Sequence, residues 1–472
     1  MLRLDLPTML EVTGGELVSG PDSVMVNGLA IDSRDVEPGA VFVAFGGERA
    51  DGHAFLGEAV ARGARALVVT RDDDVVRAAS VATGRHQQPA LVLVPDALAA
   101  VQALAAHHRD RLMCPVIGVT GSTGKTTTKD LIEAALTARF SVVATRGNQN
   151  NELGVPLTLL AAGAETEAVV IEMAMRGAGQ IARLCETARP THGLVTNVGV
   201  SHVGLLGSAE AVAEAKGELV EAVPLTGVVY LNGDDAASRA LAARAAAPVV
   251  MYGLGEDNDV RALDVAVSAE GCPSFTLAAR GSEAEVVLAV CGRHNVYNAL
   301  GAAAVALDLG LSVEETAQGL ACASPGDMRM QVFTSASGVT VVNDAYNANP
   351  TSMRAALQAL DDMTTEGRRI AVLGDMAELG SLTELAHFQL GEQIARHAVD
   401  VLVTVGEKGR RIADGARAAG VDPDAVRPCV TVEEASEVLD DVVEPGDLVL
   451  VKASRSVGLE RVVEGIVTPH VR

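Results

Sequence analysis

Aromatic side chains are scarce in this chain: among 472 residues there are seven Phe, four Tyr and no Trp. The core must therefore be built from Val, Leu, Ile and abundant Ala. Positive charge is also short, with 37 Lys and Arg against 61 Asp and Glu and a formal net charge of -24. Such a surface repels duplex phosphates and anionic lipid, so no nucleic-acid partner and no membrane role are expected. An anionic ligand must then be held by local devices, helix N-termini and single Lys or Arg residues. No apolar run reaches the roughly 18 residues that would cross a bilayer. The start, MLRLDLPTMLEVTGG, lacks a basic segment followed by an apolar core of signal-peptide length,. The six cysteines, at 114, 185, 272, 291, 322 and 429, include no CxxC pair. That spacing fits reduced, buried thiols better than a disulfide frame or a zinc site. A cytoplasmic protein is expected.

The length is too great for one hydrophobic core, and a prior of roughly 150 residues per domain gives three. Residues 1–96 mix short apolar runs (AVFVAF, ALVVT, LVLV) with the amphipathic FLGEAVARGA, the pattern of a small α/β domain,. Residues 97–323 turn at Pro115 to regular alternation: PVIGVT, TTKDLIEAALTARF, AVVIEMA, GLVTNVG, GVVYLNG. Alternation of this kind implies parallel strands with crossover helices, a central doubly wound sheet. A strand-rich patch, VRALDVAVSAEGCPSFTLAARGSEAEVVLAV, and the helical NVYNALGAAAVALDLG complete that segment. Residues 324–472 restart the alternation, from VTVVND to LERVVEGI, and read as a Rossmann-like third domain. No internal repeat or low-complexity linker separates the segments, so short hinges are expected.

VIGVTGSTGKTTTKD, residues 116–130, has the parts of a phosphate cradle. Glycines let the backbone approach, a lysine supplies counter-charge, a hydroxyl suits magnesium, and the run lies between a strand and a helix. The G-x-x-x-x-G-K-[ST] spacing would begin at position 119, which is Val119, with Gly118 and Gly121 on either side. It is a P-loop relative with an altered leading glycine.

In open α/β sheets ligands lie beyond the carboxyl ends of the strands. Glu172 ends AVVIE, Asn197 ends GLVTN, and His202 follows in NVGVSHVG. A carboxylate, an imidazole and the loop threonine would suit a divalent ion, although Mg²⁺ prefers oxygen ligands. Read alone, Glu172 is as well explained as a solvated acid, His202 as a loop histidine, and Lys216 in SAEAVAEAKGEL as a solvated face lysine,. In GRHNVYNAL, His294 and Asn298 share one face of a helix start,.

TGSTGKTTTK, ATRGNQNNELGVPLTLL, AVVIEMA, TNVGVSHVGLLGS, AKGEL, GRHNVYNALGAAA and NDAYNANPTSM occur in the order seen in the Mur ligases. The chain thus resembles, over essentially its whole length, the ATP-dependent amide-forming enzymes of peptidoglycan precursor synthesis. DAYNANPTSM, VLGDMAELG and VKASRS resemble the branch that adds D-alanyl-D-alanine to UDP-N-acetylmuramoyl-tripeptide. No DNPR-type segment of the diaminopimelate-adding branch is present. The resemblance implies that ATP phosphorylates the tripeptide carboxylate, that the dipeptide amine attacks the acyl phosphate, and that phosphate leaves. The protein would mainly neutralise and position charge.

By matching position, the resemblance implies that Gly121, Ser122, Thr123, Gly124 and Lys125 hold the ATP phosphates. Thr126 and Glu172 would bind one Mg²⁺ and His202 a second, while Lys216 falls where relatives carry a carbamylated lysine. His294, Asn295 and Asn298 would meet the adenine, and Arg329 and Asp344 would reach the nucleotide from the third domain. Ser33, Arg34, Asp51, Gly52 and His53 would face the uridine, and Asn148, Asn150 and Asn151 the sugar or peptide. For the dipeptide, Asn347, Asn349, Asp375 and Glu378 are candidates; Lys452, Ser454 and Arg455 would lie near it or the acyl phosphate. A monomer is expected. Two other readings stay open: a Mur-type ligase with a different amine donor, and a P-loop nucleotide switch that makes no bond.

Overall fold

The computed structural model describes residues 1–47, 50–81, 87–199 and 206–467. The chain packs as two compact units. Met1–Gly118, Arg139–Ala174 and Gly179–His192 form the first, and Val119–Ala138, Met175–Ala178 and Gly193–Arg472 the second.

In the first unit a five-stranded sheet runs in the order Glu16–Ser19, Ala90–Leu93, Ala66–Val69, Val41–Val43, Leu29–Ala30. The last four strands are parallel and the edge strand Glu16–Ser19 is antiparallel. Val41–Val43 and Ala66–Val69 are wholly buried, which is why they read as unbroken apolar runs: both faces of a parallel strand are covered,. The helix Ala97–Arg109 starts where the Asp96 carboxylate accepts the N–H groups of Leu98 and Ala99,. It packs against the helices Leu6–Thr13 and Gly154–Ala161. Thus residues just past position 96 pack with those before it, and this unit cuts across the segment boundary drawn from sequence. The parallel strands Val142–Ala144 and Ala168–Glu172 also belong here.

The second unit takes the end of the strand Val116–Thr120. From it the sheet proceeds through His192–Val195, Val228–Asn232, Val249–Gly253, Val260–Val267, Pro273–Ala279 and Ser282–Val287. Val228–Asn232 to Val260–Val267 pair parallel, and the last three strands pair antiparallel, as the strand-rich patch in the sequence suggests. A further sheet in this unit runs Gln331–Thr334, Thr340–Asn343, Leu448–Lys452, Arg369–Gly374, Val401–Val405, Val426–Cys429. Five of its strands are parallel and Gln331–Thr334 is an antiparallel edge. One of its cores gathers Leu357, Leu360, Leu390 and Ile412, the other Leu439, Val449 and Val462. The architecture is α/β throughout, as expected, and the cores are almost entirely aliphatic. The two largest fully buried aromatics keep their hydroxyls bonded, Tyr230 to Asp308 at 2.9 Å and Tyr252 to the Val195 carbonyl at 3.1 Å,.

The expectation of six buried thiols needs correction. Cys185, Cys291 and Cys429 are buried, Cys114 and Cys272 are half-buried, and Cys322 is exposed just past the helix Val313–Ala321. Among the described residues no helix is long and apolar enough to cross a membrane.

The helices Thr383–Ile394 and Gly409–Ala418 touch backbone to backbone. A Cβ on Gly391 would stand 2.0 Å from the Ile412 carbonyl oxygen, and one on Gly415 2.1 Å from that of Phe388. Gly391→Ala should therefore force the helices apart and cost about 1–3 kcal/mol. Scanning calorimetry should show the melting transition that carries this sheet at lower temperature; an unchanged thermogram would contradict the packing.

Candidate active site

The loop Gly121–Gly124 leaves the buried strand Val116–Thr120 and runs into the helix Lys125–Thr137. Its course is set by two places where no side chain fits. A Cβ on Gly121 would lie 1.8 Å from Thr196 Oγ1, and one on Gly124 2.3 Å from Asn298 Oδ1. Gly124 also takes a left-handed φ of 79°,.

Thr123 is clamped from the neighbouring strand end. Its N–H and hydroxyl donate to Asn197 Oδ1 at 3.1 and 3.2 Å. Its carbonyl accepts from Asn197 Nδ2 at 3.1 Å and from Thr196 Oγ1 at 2.6 Å. Ser122 donates its N–H to the Asn197 carbonyl at 3.0 Å, and its hydroxyl accepts from the Gly199 N–H at 2.8 Å. Lys125 Nζ lies back across the loop, donating to the Gly121 carbonyl at 2.8 Å. Among the described residues no side chain caps the helix that follows. A helix N-terminus, a lysine and a rigid glycine loop in one place make an anion cradle. Thr126 stands in the first turn of that helix. The sequence marks Asn197 only as the residue that ends GLVTN, and Thr196 not at all; their place at that strand end was the signal.

Lys216 overturns its solvated-face reading: it is 1% exposed on the helix Ala209–Ala222, and no acid among the described residues pairs with it. The outward neighbour Glu214 is instead exposed and bridges to Arg244 at 3.1 Å. Burial first, and the charge of Lys125 second, hold the Lys216 amine well below the ordinary lysine range,.

His294 stands at the start of the helix Asn295–Asp308. Part of its surface is open, yet it is densely surrounded, and this burial holds its imidazole below the usual range. Asp344 opposes that shift and Lys452 adds to it. Asn298 Nδ2 donates to Asn295 Oδ1 at 2.7 Å, and Thr128 Oγ1 donates to Asn298 Oδ1 at 3.2 Å. Asn298 therefore meets the cradle at Gly124 directly.

Asp344 is held by a buried lysine. Lys452, 2% exposed, donates to its carboxylate at 2.6 Å and to the Asn347 carbonyl at 2.9 Å. The Arg329 guanidinium lies over the Tyr346 ring, 4.0 Å from its centre,. Glu378 faces Arg176 at 3.4 Å, and Arg455 is an exposed arginine next to Glu460 at 3.3 Å. Three further candidates have their side chains engaged in holding backbone. Asn349 caps the helix Pro350–Asp362, Asp375 Oδ1 accepts the N–H groups of Lys408 and Gly409 at 3.1 and 2.8 Å, and Ser454 Oγ accepts that of Ala377 at 2.8 Å.

Within the first unit, Glu172 is 2% exposed, so it is not a solvated acid. Its Oε1 accepts from Asn150 Nδ2 at 2.7 Å, and its N–H donates to Thr145 Oγ1 at 3.0 Å. The Asn148 carbonyl accepts the Asn150 N–H at 2.8 Å. Asn151 is tied to the Gly154 N–H at 3.0 Å, at the start of a helix. Farther along, Ser33 donates to Glu58 at 2.7 Å, and exposed Arg34 pairs with Asp32 at 2.5 Å. His53 Nε2 accepts the Thr70 N–H at 3.2 Å, which leaves Nδ1 to donate to Asp51 at 2.6 Å. Gly52 has no room for a Cβ, which would lie 2.7 Å from the Phe45 nitrogen. His202 lies outside the described residues. Among the described residues no group of three His, Cys, Asp or Glu side chains is arranged for a metal.

Comparison with known proteins matches three family models: the Mur ligase middle domain at residues 119–306, the Mur ligase glutamate ligase domain at 328–455, and the Mur ligase family catalytic domain at 25–109. The Mycobacterium tuberculosis (strain H37Rv) protein named UDP-N-acetylmuramoyl-tripeptide–D-alanyl-D-alanine ligase is 42% identical over 501 residues, which cover 99% of this chain and 98% of that one. A crystal structure of MurF from Acinetobacter baumannii is similar with a TM-score of 0.87 and 29% identity, covering 99% of both chains. That of the Thermotoga maritima MurF ligase in complex with ADP gives 0.76 and 29%, covering 93% and 96%.

Asn197→Ala should free Thr123 without disturbing the sheet. Loss of its paired bonds is expected to cost about 1–3 kcal/mol of nucleotide affinity, roughly five- to 150-fold, by calorimetric titration with ADP. Unaltered affinity would show that the clamp does not shape the cradle.

Proposed function

The chain belongs to the Mur ligase family, and from that premise we propose that it joins D-alanyl-D-alanine to UDP-N-acetylmuramoyl-tripeptide with hydrolysis of ATP, completing the UDP-muramoyl-pentapeptide of peptidoglycan synthesis. The full-length match to the M. tuberculosis ligase of that name carries the reading. ATP use is supported further by the ADP-bound relative.

A carboxylate is a poor electrophile, and phosphorylation supplies it with a leaving group. The terminal carboxylate oxygen of the tripeptide attacks the γ-phosphorus, the bond to the bridging oxygen breaks, and ADP departs. The dipeptide amine then adds to the acyl carbon, loses a proton, and the tetrahedral intermediate expels phosphate. In our reading the clamped loop Gly121, Ser122, Thr123 and Gly124, with Lys125, takes the β- and γ-phosphates. Neutral His294, with Asn295 and Asn298, lies on the adenine side, where an uncharged ring suits an uncharged base. Arg329 and Asp344 reach the nucleotide from the third domain, Asp344 being aimed by Lys452.

Magnesium, when bound, neutralises phosphate charge. We assign its ligands to Thr126, Glu172, His202 and Lys216. Hydroxyl and carboxylate oxygens fit this hard cation; an ammonium does not. The state of Lys216 supplies the missing condition. Its amine is buried, has no acidic partner among the described residues and is held below its usual pKa by burial and Lys125, which favours the free base,. A free amine adds to carbon dioxide, forming an N–C bond and releasing one proton, and the resulting carbamate is an anion facing Lys125 instead of a competing cation.

The same reading places the uridine on residues 1–96, at Ser33, Arg34, Asp51, Gly52 and His53, and the sugar or peptide near Asn148, Asn150 and Asn151. The dipeptide falls to residues 324–472. There Glu378 and Arg455 offer charge, Asn347 and Lys452 line the Asp344 site, and Asn349, Asp375 and Ser454 shape the backbone around them. A cytoplasmic monomer fits a substrate that is a soluble nucleotide.

Purified protein with UDP-muramoyl-tripeptide, ATP and Mg²⁺ should release phosphate only once D-alanyl-D-alanine is added. Equal release with L-glutamate would favour a ligase with another amine donor, and nucleotide binding with no release for any amine would favour a switch. Lys125→Ala should abolish turnover with the fold intact by circular dichroism. Lys216→Ala should be nearly inactive and regain part of its rate with short-chain carboxylic acids; full activity without them would rule out the carbamate.

A further inference from the structure

Cys272 and Cys291 are 19 residues apart in the chain, yet their sulfurs lie 3.2 Å from one another. Cys272 is half-buried at the hairpin turn before the strand Pro273–Ala279, where solvent reaches it. Cys291 is 5% exposed and packs with Val342, Met353 and Met363. The backbone beside them is already joined, because the Gly292 N–H donates to the Gly271 carbonyl at 2.8 Å. The proposed ligation uses neither thiol.

Cys291 is also coupled to the nucleotide segment. Its carbonyl accepts from Asn295 Nδ2 at 2.6 Å, Asn295 Oδ1 accepts from Asn298 Nδ2 at 2.7 Å, and the Asn298 Oδ1 lies against Gly124. Gly292, at a left-handed φ of 96°, connects Cys291 to Arg293 and His294.

We propose that Cys272 and Cys291 are a reversible thiol–disulfide site, oxidised by hydrogen peroxide or an organic hydroperoxide, whose closure weakens nucleotide binding. The Cys272 thiolate attacks a peroxide oxygen; the O–O bond breaks, leaving a sulfenic acid and hydroxide. The Cys291 sulfur attacks the Cys272 sulfur, the S–S bond forms, the S–O bond breaks, and the expelled oxygen leaves as water with the Cys291 proton. Two thiols lose two electrons and a hydroperoxide is reduced to water and the corresponding water or alcohol; a dithiol reverses the exchange. The pair is suited to these separate roles. The hydrogen bond from Cys291 brings the Cys272 thiol down to about 7, against burial and Glu270, while the same bond and burial push Cys291 up,. Bonding requires a separation of about 2.05 Å, so the sulfurs must close by a further distance on the order of 1 Å. That movement draws on the residue whose carbonyl holds Asn295.

The full-length protein would be treated with hydrogen peroxide, alkylated with iodoacetamide, digested and mapped by mass spectrometry. The expected product is a linked pair of peptides carrying Cys272 and Cys291, two hydrogens lighter than the thiols and separated by dithiothreitol. Affinity for ADP should fall several-fold on oxidation and return on reduction. Cys272→Ser should bind ADP as the reduced protein does and lose the response, which keeps the test open should Cys291→Ser fail to fold. No linked pair, a linked pair with unchanged affinity, or a response retained in Cys272→Ser would each overturn the proposal. Neither readout depends on the amine donor, so the outcome stands apart from that of the ligation assay.

Discussion

The approach of the loop Gly121–Gly124 to its neighbours is so close that side chains are excluded at both glycines, and the rest of the nucleotide site depends on it. A loop that merely contained glycine would be mobile, because glycine loses most conformational freedom on ordering. Here that cost is met by paired bonds from Thr196 and Asn197 to Thr123 and by the packing of Asn298 against Gly124. Rigidity matters because phosphoryl transfer offers little covalent chemistry to the protein; alignment of oxygens and fixed dipoles is most of what it can supply. The altered leading glycine of the motif has the same explanation. The position that must lack a side chain is the one facing Thr196, and that is Gly121.

Charge is distributed to the same end. A protein of formal charge -24 gains nothing from long-range attraction of a polyanionic substrate, and exposed charges are screened within about 8 Å at physiological salt. Its lysines of interest are therefore inside: Lys216 and Lys452 are nearly inaccessible, and Lys125 is folded onto its own loop. Each has a different means of remaining there. Lys452 is paired with Asp344 at 2.6 Å. Lys125 donates to the Gly121 carbonyl beside the helix start. Among the described residues Lys216 has neither device, and it gives up its proton more readily instead. A buried lysine without an acid is costly as a cation and inexpensive as an amine, which is why its chemistry differs from that of the other two.

What was legible in the sequence was local. The cradle is one contiguous run whose glycines, lysine and flanking strand and helix report on each other within fifteen residues, and the parallel strands announced themselves as uninterrupted apolar runs. What was not legible depended on residues distant in the chain. AEAVAEAKGEL alternates acids and a lysine as a solvated helix does; only the packing of the helix Ala209–Ala222 shows that Lys216 turns inward while Glu214 turns out. Cys272 and Cys291 carry no spacing signal because antiparallel strands, not a short motif, bring them together. Asn349, Asp375 and Ser454 show a further limit. A polar residue at a strand end has a lone pair to offer either a ligand or the next helix's N–H groups, and its residue type is the same in both cases.

The segment around Arg329 shows how such a distant arrangement is held. Met328 and Met330 both adopt left-handed backbone, with φ of 54° and 53°, conformations that cost a residue with a side chain roughly 1 kcal/mol or more. Strain of this kind persists only where the surroundings over-determine the chain. Here the Tyr346 N–H donates to the Met328 carbonyl at 3.2 Å, Gln331 Oε1 accepts the Met328 N–H at 2.8 Å, and the Tyr346 ring receives the guanidinium between the two methionines. A relaxed backbone would point Arg329 elsewhere, and Tyr346 lies two residues past Asp344, so the segment that carries Asp344 also carries the ring that holds Arg329. Arg329 stacks on the ring, and Asp344 is drawn to Lys452. A site assembled by mutual restraint of this sort can be recognised from its motifs in sequence, but the reason for each residue is visible only in the contacts between them.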